Sequence, residues 1–261
     1  MTWTEPTRVA WLVFACFSAF FCEERAQHAA PPARSAPLAA QAQAAPPTAA
    51  PSASPAPAPA PRRIEQVLVL GDSLSDEAVG GGGFVKRLRE RCRGARFDNR
   101  AKGGFMVNQI RKRLETEVLP QGGRYSHAVV FGGVNDLYSD QTANRTLPRI
   151  QSDLTKTYEA LTARGTEVIA ITVTPWGGFK RWYTPERGQN TLRLNGWILD
   201  RAANGVIADA VDAYPLLSCG EPESLCPELA APHKDGLHFG RLGHEKLAEA
   251  LLAGPFRSCE H

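Results

Sequence analysis

The sequence predicts an α/β fold in which a parallel sheet is covered by helices on both faces. Three observations carry that expectation. Short apolar runs alternate with segments whose apolar residues recur every three or four positions. The short runs are β-branched and nearly continuous in apolar character, as strands buried on both faces are. Residues able to do chemistry fall just after the strands, where open α/β sheets bind ligands.

The elements follow in order. Gln66-Val67-Leu68-Val69-Leu70 is the first strand, and it runs into Gly71-Asp72-Ser73-Leu74-Ser75. Glycines 80–83 lead to a helix on which Phe84, Val85 and Leu88 share one face. Ala95-Arg96-Phe97-Asp98 is a short second strand, and a helix spans about Val107 to Glu117. His127 to Phe131 is the third strand, followed by a helix through Ile150, Leu154, Tyr158 and Leu161. Glu167 to Val173 is the fourth strand and Val206 to Ala210 the fifth, with a helix from Asn190 to Ala203 between them. Leu242 to Leu252 is the final helix.

The first sixty residues have another character. Residues 9–22 form an apolar run too short for a membrane-spanning helix, which needs ~20 residues. It fits the apolar core of an export signal, so residues 1–28 are expected to be a signal peptide or a membrane or lipid anchor. Val13-Phe14-Ala15-Cys16 and Ala19-Phe20-Phe21-Cys22 are imperfect lipidation sites. Residues 29–62 are nearly all Ala, Pro, Ser and Gln, and read as an extended linker. The folded domain is expected over 63–261, long enough for one sizeable core. The chain is therefore expected to be exported to the periplasm, the cell envelope or the medium, with a possible tether through its N-terminal segment.

Charge and cysteine usage narrow the class. A formal net charge of +3, interspersed along the chain, gives no case for nucleic acid. Lys86-Arg87-Leu88-Arg89 and Arg111-Lys112-Arg113 read as solvated helix faces. Cys92, Cys219, Cys226 and Cys259 are an even set, which in an exported protein favours pairing. Cys219 and Cys226 bracket a short loop, while Cys92 ends the first helix and Cys259 follows the last. Cys219–Cys226 and Cys92–Cys259 are the expected bridges, with free buried thiols as the alternative. The absence of a Cys-x-x-Cys pattern leaves no case for structural zinc.

The strand ends carry the chemistry. Ser73 follows the first strand, Asn99-Arg100-Ala101-Lys102-Gly103-Gly104 the second, and Gly132-Gly133-Val134-Asn135-Asp136 the third. Asp235-Gly236-Leu237-His238 precedes the last helix. A nucleophile, a glycine turn, a carboxamide and an Asp/His pair are the parts of a serine esterase. Each part also has a bland reading: Gly-Asp-Ser and Asp-Gly are turn signals, and Asn caps helices. It is the four together, each after the right element, that are specific.

The four blocks resemble those of the SGNH hydrolases, also called the GDSL esterase/lipase family. The matching residues are Gly71-Asp72-Ser73-Leu74, Gly104 five residues after Asn99, Gly133-x-Asn135-Asp136, and Asp235-x-x-His238. The resemblance covers essentially all of 63–261. It implies a three-layer α/β/α fold around a flavodoxin-like five-stranded parallel sheet. It implies Ser73 as nucleophile, His238 as base and Asp235 as the residue orienting it. Ser73, Gly104 and Asn135 would form the oxyanion hole. Gly103 is the rival of Gly104, and His233 that of His238. His127 and His244 read as structural, and Asp72 and Asp136 as loop-holding residues. No metal or organic cofactor is expected.

The implied substrate is a small-molecule, polysaccharide or lipid ester: a carbohydrate O-acetyl group, or a lysophospholipid-type ester. The segment from Pro175 to Tyr183 follows the fourth strand and is rich in aromatics, which suit sugar rings and acyl chains alike. A silent, surface-displayed carbohydrate-binding module on the same fold is the competing reading, and an intact Ser73, Asp235, His238 set argues against it.

Overall fold

The apolar runs form one five-stranded parallel sheet in the computed structural model, which describes residues 62–260. The expected signal segment, and all of the linker except Arg62, lie outside the described residues. In chain order the elements are β1 (Gln66–Gly71), α1 (Gly83–Arg91), β2 (Arg96–Asn99), α2 (Val107–Arg113), β3 (His127–Phe131) and α3 (Val134–Tyr138). Then come α4 (Leu147–Thr162), β4 (Glu167–Ile171), α5 (Pro185–Ala203), β5 (Asp209–Val211) and α6 (Ala213–Leu217). A small hairpin, β6 (Ser218–Cys219) and β7 (Glu221–Leu225), leads to α7 (Pro227–Ala230) and α8 (Arg241–Ala253).

The strand order is β2-β1-β3-β4-β5. The chain moves one way from β1 to β2, then crosses back to β3 and continues in that direction. The order therefore reverses between β1 and β3, and a crevice opens beyond their carboxyl ends. Right-handed crossovers put α1 on one face and α2, α4 and α5 on the other. In keeping with this, α1 packs on α8, while α2 packs on α4 and α4 on α5.

The core lies on both sides of the sheet. Val67 to Leu70 have no solvent exposure, nor do Phe84, Val85 and Leu88 of α1. Each such side chain contributes roughly 1.5–3 kcal/mol by leaving water. Both expected disulfides form: Cys92–Cys259 joins the end of α1 to the segment after α8, and Cys219–Cys226 closes the hairpin.

Four expectations need correction. The fifth strand is Asp209–Val211, not Val206 to Ala210. Val206 N–H and Ile207 N–H both donate to Arg201 O, so these residues finish the turn after α5 before the strand begins. Helix α5 starts five residues earlier than Asn190, because Thr184 Oγ1 caps Arg187 N–H and Pro185 fits the first turn. The segment after Val107 is α-helical only to Arg113, then widens into a π turn over Leu114–Val118. The hairpin takes the place of the loop expected between Cys219 and Cys226.

Candidate active site

The reversal of strand order sets two sequence blocks side by side. Ser73 sits just beyond the end of β1, and Gly133 to Tyr138 just beyond the adjacent β3. Asp72 shapes the first turn: its Oδ1 accepts from Leu74 N–H, and its main-chain carbonyl accepts from Ser75 and Asp76 N–H. The Ser73 side chain thereby faces the crevice.

The segment between α7 and α8 supplies the other half. Asp235 Oδ1 accepts from Leu237 N–H and His238 N–H, both at 2.9 Å, which folds the four residues into one tight turn. Gly236 takes φ +76° there and packs directly on Gly178, where a Cβ has no room. Asp235 Oδ2 lies 2.7 Å from His238 Nδ1, and His238 Nε2 lies 2.9 Å from Ser73 Oγ. The three side chains thus form one hydrogen-bonded line. Burial works to raise the Asp235 carboxyl, but the bonds from His238 and Leu237 outweigh it and hold the group below the usual carboxylate value. Asp235 is therefore an anion facing Nδ1, which favours the tautomer that leaves Nε2 free to accept from Ser73 Oγ.

His233, the rival base, has its ring 5.9 Å from that of His238, and no hydrogen bond among the described residues joins it to Ser73. His244 is buried against Phe84 and Phe239. Burial and then the nearby His233 and His238 push its imidazole down to about 4, so it is neutral at working pH. His127 is buried at the far end of the sheet, beside Ser126 and Glu167.

The three groups expected as oxyanion donors differ in what engages them. Among the described residues, no hydrogen bond takes up the Ser73 N–H or the Gly104 N–H. Gly103 N–H, by contrast, is occupied by Asp76 Oδ2 at 2.8 Å. Gly104 has φ +79° and open space where a Cβ would stand. Asn135 is 3% exposed, and its Nδ2 donates to Phe105 O at 2.9 Å and, more weakly, to Asp72 Oδ2 at 3.3 Å. Its amide protons are thus engaged by the protein itself in this structure.

Several supporting residues were not legible as such. Tyr138 donates to Asn135 Oδ1 at 2.7 Å and fixes which way the carboxamide points. The three-residue spacing on one short helix was the available signal. Asn99 holds the first turn by donating to Ser75 O and Glu77 Oε2. Asp136 accepts from Val107 N–H at the start of α2, as a loop-holding residue should. It also opens a buried ionic chain through Arg145 and Asp153 to Arg111. Arg111 is therefore not merely a solvated face. The aromatic segment after β4 is split: Trp176 is fully buried and donates to Thr191, whereas Phe179 and Trp182 are half-buried against Tyr138.

Asp72 is an unusual neighbour for this site. It has no solvent exposure, and burial, partly offset by the bond from Leu74 N–H and by the nearby His238, pushes its carboxyl up to about 7. Beside Ser73 and His238 lies a cavity of 150 Å³, lined also by Val79, Gly80, Gly81 and His233.

A hydroxyl, an imidazole and a carboxylate thus stand in line at the switch point of a parallel sheet. Residues 69–246 match the model of the GDSL-like Lipase/Acylhydrolase family, and the chain belongs to that family and is an ester-bond hydrolase. A search of curated proteins found no match. Solved structures share the fold at low identity. A GDSL-like lipase from Bacteroides thetaiotaomicron is 20% identical, with TM-score 0.61, over 74% of this chain and 89% of that one. A lipase/acylhydrolase from Enterococcus faecalis is 21% identical, with TM-score 0.59, over 74% and 97%. A catalytic mutant of an acetylxylan esterase from Geobacillus stearothermophilus is 18% identical, with TM-score 0.59, over 73% and 94%.

Proposed function

We propose that the protein is an exported serine esterase that removes short acyl groups, acetyl above all, from carbohydrate hydroxyls. The observation that carries the mechanism is the Asp235–His238–Ser73 line, with contacts of 2.7 and 2.9 Å. His238 Nε2 takes the Ser73 proton as Oγ adds to the ester carbonyl carbon. The C–O bond to the alcohol then breaks, and His238 returns the proton to the departing oxygen. This leaves an acyl group on Ser73. Water enters, loses a proton to His238 and displaces the acyl group as the acid, restoring the hydroxyl. Asp235 stays ionised and stabilises the imidazolium in both halves.

The tetrahedral oxyanion is met by the Ser73 and Gly104 N–H groups, which no protein group occupies among the described residues. Asn135 exchanges its long bond to Asp72 for the third contact. One such donor typically contributes about 100- to 1000-fold in rate.

The substrate reading rests on size and surroundings. The 150 Å³ cavity is smaller than the ~300–1,000 Å³ of drug-sized ligand pockets, and suits a two-carbon acyl group rather than a fatty chain. Phe179, Trp182 and Tyr138 offer partly exposed rings beside Asn135, as a sugar-binding edge would. Three of the similar structures are of acetylxylan esterases. The paired cysteines fit the oxidising compartments outside the cytoplasm.

The test is hydrolysis of p-nitrophenyl esters of increasing acyl length, followed by release of acetate from acetylated xylan. Acetate is expected to be cleaved fastest, with the rate falling steadily as the chain lengthens. A maximum at long acyl chains would overturn the short-acyl reading and favour lysophospholipid-type esters. Binding of the polysaccharide without any turnover would return the protein to the binding-module class.

A further inference from the structure

The positive charge that looks interspersed along the chain is gathered by the fold. The loops that enter the strands from the side opposite Ser73 each bring arginine. Arg62 and Arg63 precede β1, Arg93 and Arg96 stand at the entry to β2, Arg124 precedes β3, and Arg164 precedes β4. All six are exposed. Five of them line a cavity of 610 Å³, and Arg93 lines an adjoining one of 410 Å³ that shares Arg62 and Arg63.

Charge balance on this face is one-sided. Arg91 also lines the second cavity and Glu65 is the single carboxylate lining either, so the side chains lining the two carry a formal +6. The whole chain carries only +3, so everything else sums to −3. Among the described residues, the side chains of Arg63, Arg93, Arg96 and Arg124 have no hydrogen-bond or ion-pair partner. Arg62 and Arg164 donate only to main-chain carbonyls, Gly165 O and Ala160 O. Arginine forks without carboxylates are suited to phosphate oxygens, which they bind in pairs.

We propose that this arginine face docks on an anionic phospholipid surface. The Asp235–His238–Ser73 line lies at the opposite end of the sheet. The described chain starts at Arg62, inside the cleft, and the 39 residues separating it from the apolar run 9–22 are mostly Pro, Ala, Ser and Gln. That spacer keeps the domain within reach of a membrane holding the run, and it is this face, rather than the Ser73 end, that gathers the charge an anionic surface attracts. The strands are parallel, and β1 alone spans about 20 Å, so docking here leaves the esterase crevice facing outward. Polybasic faces next to an anchor gain affinity with each cation that reaches the lipid surface, and lose it in salt.

The experiment uses the full chain, so that any contribution of the apolar run is common to every arm. Wild type and the triple variant Arg63→Glu, Arg96→Glu, Arg124→Glu are sedimented with vesicles of phosphatidylcholine alone, or of equal parts phosphatidylcholine and phosphatidylglycerol. Wild type is expected to prefer the anionic vesicles by about tenfold or more, with the preference lost at high salt and in the variant. An unchanged circular dichroism spectrum shows that the variant has folded. The proposal is overturned if wild type shows no preference, or if the preference survives the three substitutions. It is also overturned if inorganic phosphate or a soluble anionic polysaccharide, at matched charge, displaces the protein from the vesicles. That result would make the occupant a soluble anion.

Discussion

Two buried side chains beside Ser73 pull the pH dependence of stability in opposite directions. Burial raises the Asp72 carboxyl from 3.8 to about 7. Its favourable contribution is complete below 3.8 and is lost as pH rises through about 7, because the unfolded chain ionises first. Burial lowers the His244 imidazole from 6.5 to about 4. Its contribution is complete above 6.5 and is lost as pH falls towards 4, because the unfolded chain binds the proton first. The two slopes oppose each other between pH 4 and 6.5, so wild type conceals both. Single variants separate them in denaturant unfolding followed against pH. Relative to wild type, Asp72→Asn should gain stability as pH rises from about 4 to 7, by at most ~1.4 kcal/mol per pH unit. His244→Gln should gain relative to wild type as pH falls through the same range. Profiles that run parallel to wild type would refute this account of either group.

At the scale of the element, what could be read depended on how local its cause is. The strands β1 and β3 were legible because continuous apolar runs have few other uses. So was the Asp235-x-x-His238 turn, whose shape is set by bonds among its own four residues. The start of β5 was misread because Val206 and Ile207 look like strand residues. Their N–H groups are captured instead by Arg201 O at the end of α5, a competition that composition does not reveal. The role of Arg111 was hidden for a similar reason, since Asp153 lies on another helix, and only packing of α2 on α4 joins them. The site shows the same division. Ser73, Asp235 and His238 were legible through the resemblance of their sequence blocks to a known family, whereas the bond from Tyr138 to Asn135 and the capture of Gly103 by Asp76 emerge only from the fold. The arginine face is the extreme case, because its members belong to four different loops.

The whole molecule works as two ends of one sheet, chemistry at the carboxyl ends of the strands and charge at their starts. Its unity depends on bridges of unequal reach. Cys92–Cys259 closes a loop of 167 residues and Cys219–Cys226 one of 7. On chain entropy alone, removing the first should cost about 5 kcal/mol and the second about 2 kcal/mol. Urea unfolding of Cys92→Ser/Cys259→Ser beside Cys219→Ser/Cys226→Ser checks this, and equal losses would contradict it. The central claim, that Ser73 is the nucleophile, is tested most directly by reacting the protein with a fluorophosphonate and locating the adduct by mass spectrometry. The expected result is one adduct per chain, on Ser73, formed in step with loss of esterase activity and absent from Ser73→Ala, which should itself be at least about 10⁴-fold less active. An adduct at another residue that abolishes activity, or full esterase activity in Ser73→Ala, would contradict it.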